Sequence, residues 1–115
     1  MSIKSTLERF DSFRGAELVS VHIPSPKDIE LNFHVQDKAR DYDWIKISFL
    51  FKEVKDARLI DESRLKFLSL EDGISLIETQ GLYGLAIGQY KNINNIKDSL
   101  LFIVAKLMLI EENSI

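Results

Sequence analysis

The chain has 115 residues, of which 45% are hydrophobic and 29% are charged. This balance is typical of a folded globular domain and argues against intrinsic disorder. Fifteen basic and 18 acidic residues give a formal net charge of −3, whereas nucleic-acid-binding domains usually carry a basic surplus. The sequence contains no cysteine, which excludes disulfides and thiolate metal sites within it and is compatible with a cytoplasmic protein.

The longest apolar run, residues 100–110, is interrupted by Lys106 and is shorter than the roughly 20 residues that a membrane helix needs. The first 13 residues lack the apolar stretch of a signal peptide. We therefore expect one soluble cytoplasmic domain over residues 1–115, with no nucleic-acid partner and no membrane association.

Residues 4–12 have the pattern of a short amphipathic helix. Ser5 or Thr6 is a candidate N-cap, with Glu8 completing a capping box, and Gly15 is a typical residue after a helix end. Apolar residues recur at three-residue intervals and would share one face: Leu7, Phe10 and Phe13.

From residue 16 the hydrophobic period changes to two, which indicates half-buried strands. Residues 16–23 and 28–36 both alternate, and the two prolines between them predict a turn. Matching the apolar faces fixes the register, because a one-residue slip would invert every side chain. The predicted pairs are Val21 with Leu31, Val19 with Phe33, His22 with Glu30, and Leu18 with His34.

A third strand is predicted over residues 44–51, which completes a three-stranded meander. Its core face carries Ile45, Ile47, Phe49 and Phe51. The mixed-charge tract 52–66 is ambiguous, and part of it is predicted as a short strand. Interspersed charges of both signs predict that this tract forms an exposed face or a sheet edge.

Residues 74–79 and 82–90 predict a second hairpin around Gln80-Gly81, where glycine supplies a positive φ. Residues 99–111 fit either a helix or a strand. A strand that is buried on both faces is favoured, because the rest of the chain builds antiparallel sheet. The predicted fold class is mainly β (α+β): an antiparallel meander, arranged as one sheet or as a sandwich, with a short N-terminal helix.

Three of the five glycines fall within residues 80–91. Their spacing, Gly81, Gly84 and Gly88, matches no phosphate-binding loop, which needs glycines at a strand-to-helix turn. On one face of a strand, Gly84 and Gly88 instead predict close approach by a bulky group. Phe10 or Phe13 of the N-terminal helix is the first candidate for that group.

The histidines and the paired acidic residues do not form a recognisable catalytic pattern. His22 and His34 would share a sheet face without lying opposite each other, and a cross-strand pair of His22 with Glu30 is favoured. Three acidic pairs are interpreted as surface charge, since neighbours on a strand point to opposite faces: Asp61-Glu62, Glu71-Asp72 and Glu111-Glu112. We expect no catalytic residue, no cofactor and no metal site.

Residues 40–44 lie at the predicted tip between the second and third strands. Tyr and Trp often dominate binding energy, and neighbouring carboxylates would attract a basic partner. We therefore predict a partner-binding site at Asp41, Tyr42, Asp43 and Trp44. In the alternative interpretation Trp44 packs beneath the N-terminal helix or a second sheet, which the usual burial of large aromatic side chains favours.

Two segments together form one pattern: an aromatic and a small residue lead into a β-hairpin, and an I-x-F strand that ends in Val follows. The segments are FRGAELVSVHIPSPKDIELNFHV and WIKISFLFKEV. In this pattern the chain resembles small bacterial domains, some of them assigned as immunity proteins of polymorphic or contact-dependent toxin systems. The carrying residues are Phe13, Ala16, Val21, Ile23, Leu31, Ile47, Phe49 and Val54. The resemblance implies stoichiometric binding of a cognate toxin and supplies no catalytic residue.

Three functional hypotheses follow. The first is a small soluble binding protein, specifically an immunity protein that binds a protein toxin. The second is a structural or oligomerising β module of another pathway, such as a homodimer formed through a free sheet edge. The third is an enzyme whose site is assembled across the fold without a local motif; we expect a non-enzyme.

Overall fold

The computed structural model describes residues 3–115. Within them, six strands form one open antiparallel sheet with the order β1-β2-β3-β6-β5-β4. The elements in chain order are helix α1 (Ile3–Arg9), strands β1 (Glu17–Ser25), β2 (Asp28–Asp37) and β3 (Asp43–Arg58), helix α2 (Glu62–Leu65), strands β4 (Ile74–Thr79) and β5 (Leu82–Ile87), helix α3 (Ile93–Ile96) and strand β6 (Phe102–Ser114). The mainly antiparallel β class with a short N-terminal helix is confirmed, and a single sheet replaces the sandwich alternative.

The inner face of the sheet, on which α1 packs, carries the main core. Alternate residues of β2 and β3 are buried there, as the two-residue period predicts. Five phenylalanine rings lie in successive contact with centroids 5.3–6.3 Å apart: Phe10, Phe13, Phe33, Phe49 and Phe51. A seven-residue helix is marginal alone in water, so the packing of Ile3 and Leu7 against this core stabilises α1.

The opposite, outer face of the sheet is covered over only part of its area. Helix α3 packs on β4, β5 and the start of β6, where Ile96 joins Ala86, Phe102 and Val104 in a second small core. In consequence residues 101–105 are buried on both sides, which confirms the strand prediction for this segment over the helical one. From Lys106 onward β6 leaves this cover and its burial becomes mixed.

The β1–β2 register is confirmed in part. Val21 pairs with Leu31 and His22 with Glu30, as predicted. The other two predicted pairs are wrong, because a bulge lies between Leu18 and Ser20. The observed pairs there are Leu18 with Phe33 and Glu17 with His34, which leaves Val19 exposed.

The N-terminal helix is shorter than predicted. Its last residue is Arg9, and the chain then turns through left-handed backbone conformations at Asp11, Ser12 and Phe13. Ser5 lies inside the helix, so the predicted capping box is wrong, and Gly15 does not end the helix. Phe10 and Phe13 are nevertheless buried together, as their spacing predicts.

The mixed-charge tract continues β3 to Arg58. The β2 ladder ends at the pair of Ile29 with Phe51, so β3 beyond this point pairs with β6 along its other side. Exposed charged residues therefore occupy an edge, in agreement with the sequence prediction. Residues 62–65 form the short helix α2 beside the edge strand β1, and the Glu62 carboxylate accepts a hydrogen bond from the N–H of Val21.

The glycines of the second hairpin have structural roles. Gln80 and Gly81 form the two-residue turn with φ of 49° and 76°, as predicted. Gly84 lies under α3, where an added Cβ would come within 2.7 Å of the Cδ1 atoms of both Ile93 and Ile96. The prediction of a bulky neighbour is thus right for Gly84, but the neighbour is α3 and not Phe10 or Phe13, which pack on the inner face.

We predict that Gly84→Val lowers the free energy of unfolding by about 1–3 kcal/mol, because it overpacks the contact with α3. Urea denaturation measures this change. Replacing Ile93 by Ala in the same chain should restore part of the loss, since it removes one of the two clashing side chains. A Gly84→Val protein with unchanged stability and lost nucleotide binding would instead support the phosphate-loop hypothesis.

Candidate functional site

The β2–β3 connection, residues 38–42, is ordered by the residue before it. Its first part is a 3₁₀ turn, Lys38–Arg40, and Asp41 and Tyr42 follow with φ of 54° and 65°. Left-handed non-glycine residues cost on the order of 1 kcal/mol or more each. Hydrogen bonds to Asp37 offset this conformational cost. Its carboxylate accepts one from the Ala39 N–H at 2.9 Å, and its backbone carbonyl accepts one from the Tyr42 N–H at 2.8 Å.

A buried ion pair fixes Asp37 itself. The side chain of Asp37 has no solvent exposure, and Arg9 of α1 donates to both its oxygens, with Nε–Oδ1 at 3.0 Å and Nη2–Oδ2 at 2.5 Å. Arg9 also donates to Glu112 of β6 at 2.6 Å, and Arg40 lies 3.7 Å from the Asp37 carboxylate. This network joins α1, β2, the connection and β6. The hydrogen bonds from Arg9 lower the pKa of Asp37, against the opposing effect of burial.

The four residues predicted to bind a partner are all exposed. Tyr42 is 58% exposed, and Trp44, opposite Gln36 on the outer face, is 45% exposed. The alternative in which Trp44 packs beneath the helix is therefore wrong, because α1 lies on the inner face. The structure places Asp41 and Tyr42 in the ordered connection and Asp43 and Trp44 at the start of β3.

A hydrogen-bonded polar strip crosses the outer face, separated from Trp44 by Lys46 along β3, and sequence reasoning missed it. Asn32 of β2 is almost fully buried; its amide donates to Ser20 Oγ at 2.9 Å, and its carbonyl oxygen accepts from Ser48 Oγ at 2.5 Å. The same amide donates to Glu30 at 3.0 Å. The available signal was the presence of short polar residues at matching positions of three neighbouring strands.

Exposed leucines lie on the other side of this strip. Leu50 of β3 pairs directly with Leu109 of β6, and Leu107 lies two residues before Leu109 on the same face. Leu107 is 42% exposed and Leu109 is 49% exposed. The prediction that this segment is buried on both faces is thus wrong beyond residue 105, where the cover by α3 ends.

Other chemical candidates are distributed across the sheet. His22 lies opposite Glu30, as predicted, and His34 lies between Glu17 and Lys46. Within residues 3–115, no group of three or more His, Cys, Asp or Glu side chains is arranged to hold a metal ion. Glu112 is half-buried in the Arg9 network, so its interpretation as plain surface charge is wrong.

Comparison of the chain with protein-family models, with curated proteins and with solved structures found no match. No helix within residues 3–115 is long and apolar enough to span a membrane. Functional inference therefore depends on the chemistry and geometry of the outer face and the β2–β3 connection.

We predict that Asp37→Asn lowers the free energy of unfolding at pH 7 by about 1.5–3 kcal/mol, the usual value of hydrogen bonds to a charged group. The folded-state pKa of Asp37 is lowered, so its contribution is present above the ordinary aspartate pKa of about 4 and is lost as pH falls through the folded value. The difference in the free energy of unfolding between wild type and variant should therefore become smaller below about pH 4. Urea denaturation at pH 7 and pH 3 tests this, with the exposed Asp43→Asn as control; an equal gap at both pH values would contradict it.

We predict that Trp44→Ala changes the free energy of unfolding by less than about 1 kcal/mol, as expected for an exposed side chain. Trp44 is the only tryptophan, so its fluorescence reports on this site alone. Emission should be red-shifted and readily quenched by acrylamide. Phe49→Ala, in the buried ring cluster, is the contrasting variant and should cost about 3–5 kcal/mol. Trp44 would belong to the core if its emission were blue-shifted and protected from acrylamide, and if Trp44→Ala lowered the free energy of unfolding as much as Phe49→Ala does.

Proposed function

We propose that this chain is a small cytoplasmic binding protein that neutralises a bacterial toxin by forming a stoichiometric complex with it, as an immunity protein does. The observation that supports this most directly is the exposure of Asp41 and Tyr42 in the ordered β2–β3 connection and of Asp43 and Trp44 at the start of β3. The toxin class comes from the resemblance of residues 13–35 and 44–54 to immunity domains.

The connection suits binding because its conformation is fixed before any partner arrives. Its left-handed residues are held by Asp37, whose carboxylate is held in turn by Arg9. A preordered loop loses little conformational entropy on association, so more of the contact energy contributes to affinity. Tyrosine and tryptophan are the residue types that most often dominate such contacts.

Oligomerisation through the β1 edge is less well supported. An edge strand offers unpaired backbone groups to another chain, but β1 carries a bulge beside Val19 and a proline at Pro24. The N–H of Val21 donates instead to Glu62 of α2. These features are typical of edges that resist pairing.

The test is co-expression in a bacterial host with the product of the gene adjacent to this one. We expect that product to arrest growth, wild type to restore it, and native mass spectrometry to show a defined stoichiometric complex. A chain carrying Asp41→Lys and Trp44→Ala should fold but fail to protect, because it loses both the charge and the aromatic anchor. The control is Glu78→Lys, an exposed charge reversal on β4.

Two results would contradict the proposal. If molar amounts of this chain far below those of the toxin restored growth, the chain would act catalytically and not by stoichiometric binding. Full protection by the double variant, in the presence of a stable complex, would show that the toxin binds elsewhere on the molecule.

A further inference from the structure

The candidate site continues from the β2–β3 connection onto the open half of the outer face. We propose that this whole surface, formed by β1, β2, residues 43–52 of β3 and the second half of β6, docks a basic protein surface that also carries apolar side chains. The inference rests on the proposed function, which it deepens by stating the chemistry of the partner.

The surface has its own apolar groups. Leu50, Leu107 and Leu109 form one group, and Trp44 lies at the end nearest the connection. Half-exposed leucines on a sheet face gain free energy when a partner removes them from water, roughly in proportion to the area covered. Helix α3 covers the equivalent face of β4 and β5, which shows that this face of the sheet accepts an apolar cover.

The polar strip between these apolar groups is already fixed. Asn32 holds Ser20 and Ser48 by hydrogen bonds, so these side chains need little further ordering when a partner binds. On β3 the strip lies between Leu50 on one side and Lys46, followed by Trp44, on the other. A partner that covers the surface therefore meets fixed polar groups between its two apolar contacts.

The ionisable residues of this surface determine the charge of its partner. Apart from Asp56 and Arg58, which lie opposite the α3-covered start of β6, the strand register places four carboxylates and two lysines on the outer face: Glu17, Asp28, Glu30 and Glu111, with Lys46 and Lys52. With the histidines neutral, these four acids and two bases give a formal net charge of −2. The adjoining connection carries Asp41 together with Lys38 and Arg40, so the acidic surplus of the surface comes from its strands.

The negative charge of this surface favours a basic protein partner over a second copy of the chain. A second copy placed face to face would bring two acidic surfaces together, and like charges across an interface are repulsive. A partner rich in lysine and arginine would meet complementary charge, with faster association at low ionic strength. The surface therefore fits a basic partner better than it fits itself.

The test requires no knowledge of the natural partner. A phage-displayed library of random 12-residue peptides is selected on the immobilised full chain, and the best peptides are synthesised. We expect them to combine Lys or Arg with Leu, Phe or Trp, to bind more weakly at high salt, and to shift the NMR signals of outer-face residues. Leu109→Ala and Glu111→Lys should each weaken binding by about tenfold or more.

Matched controls are Leu100→Ala and Glu78→Lys, an exposed leucine and an exposed glutamate outside this surface, which should bind like wild type. Acidic or neutral peptides, signal shifts elsewhere on the molecule, or equal losses in the controls would overturn the inference. So would dimerisation of the wild-type chain in ultracentrifugation that Leu109→Ala abolishes. Because the growth assay measures toxin neutralisation separately, either proposal can fail while the other holds.

Discussion

The buried carboxylate of Asp37 is the constraint on which the candidate site depends. A charge without solvent exposure is stable only when it is paired and hydrogen-bonded, and Arg9 supplies most of both requirements. Because Arg9 belongs to α1 and also binds Glu112 of β6, the pair fixes the helix to one end of the sheet. The same Asp37 then orders the β2–β3 connection through its carboxylate and its backbone carbonyl. One interaction thus connects the placement of α1 with the shape of the β2–β3 connection.

One half of the outer face is covered and the other half is open because of where the helices α1 and α3 pack. Helix α1 packs on the inner face through Ile3 and Leu7, and Phe10, directly after it, joins the phenylalanine cluster. Helix α3 has four residues and covers only the β4–β6 half of the outer face, where Gly84 permits its close approach. The remaining half of that face is left to hydrogen-bonded polar side chains and half-exposed leucines. An apolar surface on the otherwise polar side of a sheet is a common mark of an interaction site.

The fold class and most strands could be predicted because alternation and turn chemistry are local signals. The hairpin at Gln80-Gly81 and the core face of β3 needed nothing beyond them. The bulge after Leu18 could not be predicted, since it depends on how β1 meets its neighbours and α2. The role of Arg9 was equally hidden, because its partners lie 28 and 103 residues away in the chain. Four-residue helices such as α3 leave almost no periodic signal.

The errors that concern exposure fall largely on one surface, and this has a physical reason. Residue statistics favour burial of Trp44 as the alternative to the predicted partner-binding site, and the leucines after residue 105 are predicted to lie on a two-sided strand; all of them are exposed on the outer face. Asp41 and Tyr42 adopt backbone conformations that their residue types disfavour. Stability alone would favour polar side chains at the exposed apolar positions and glycine or asparagine at the strained ones. Departures from such local preferences often mark functional sites; those at the connection and on the open sheet face belong to the candidate site, whereas the left-handed Asp11, Ser12 and Phe13 and the exposed Phe67 lie outside it.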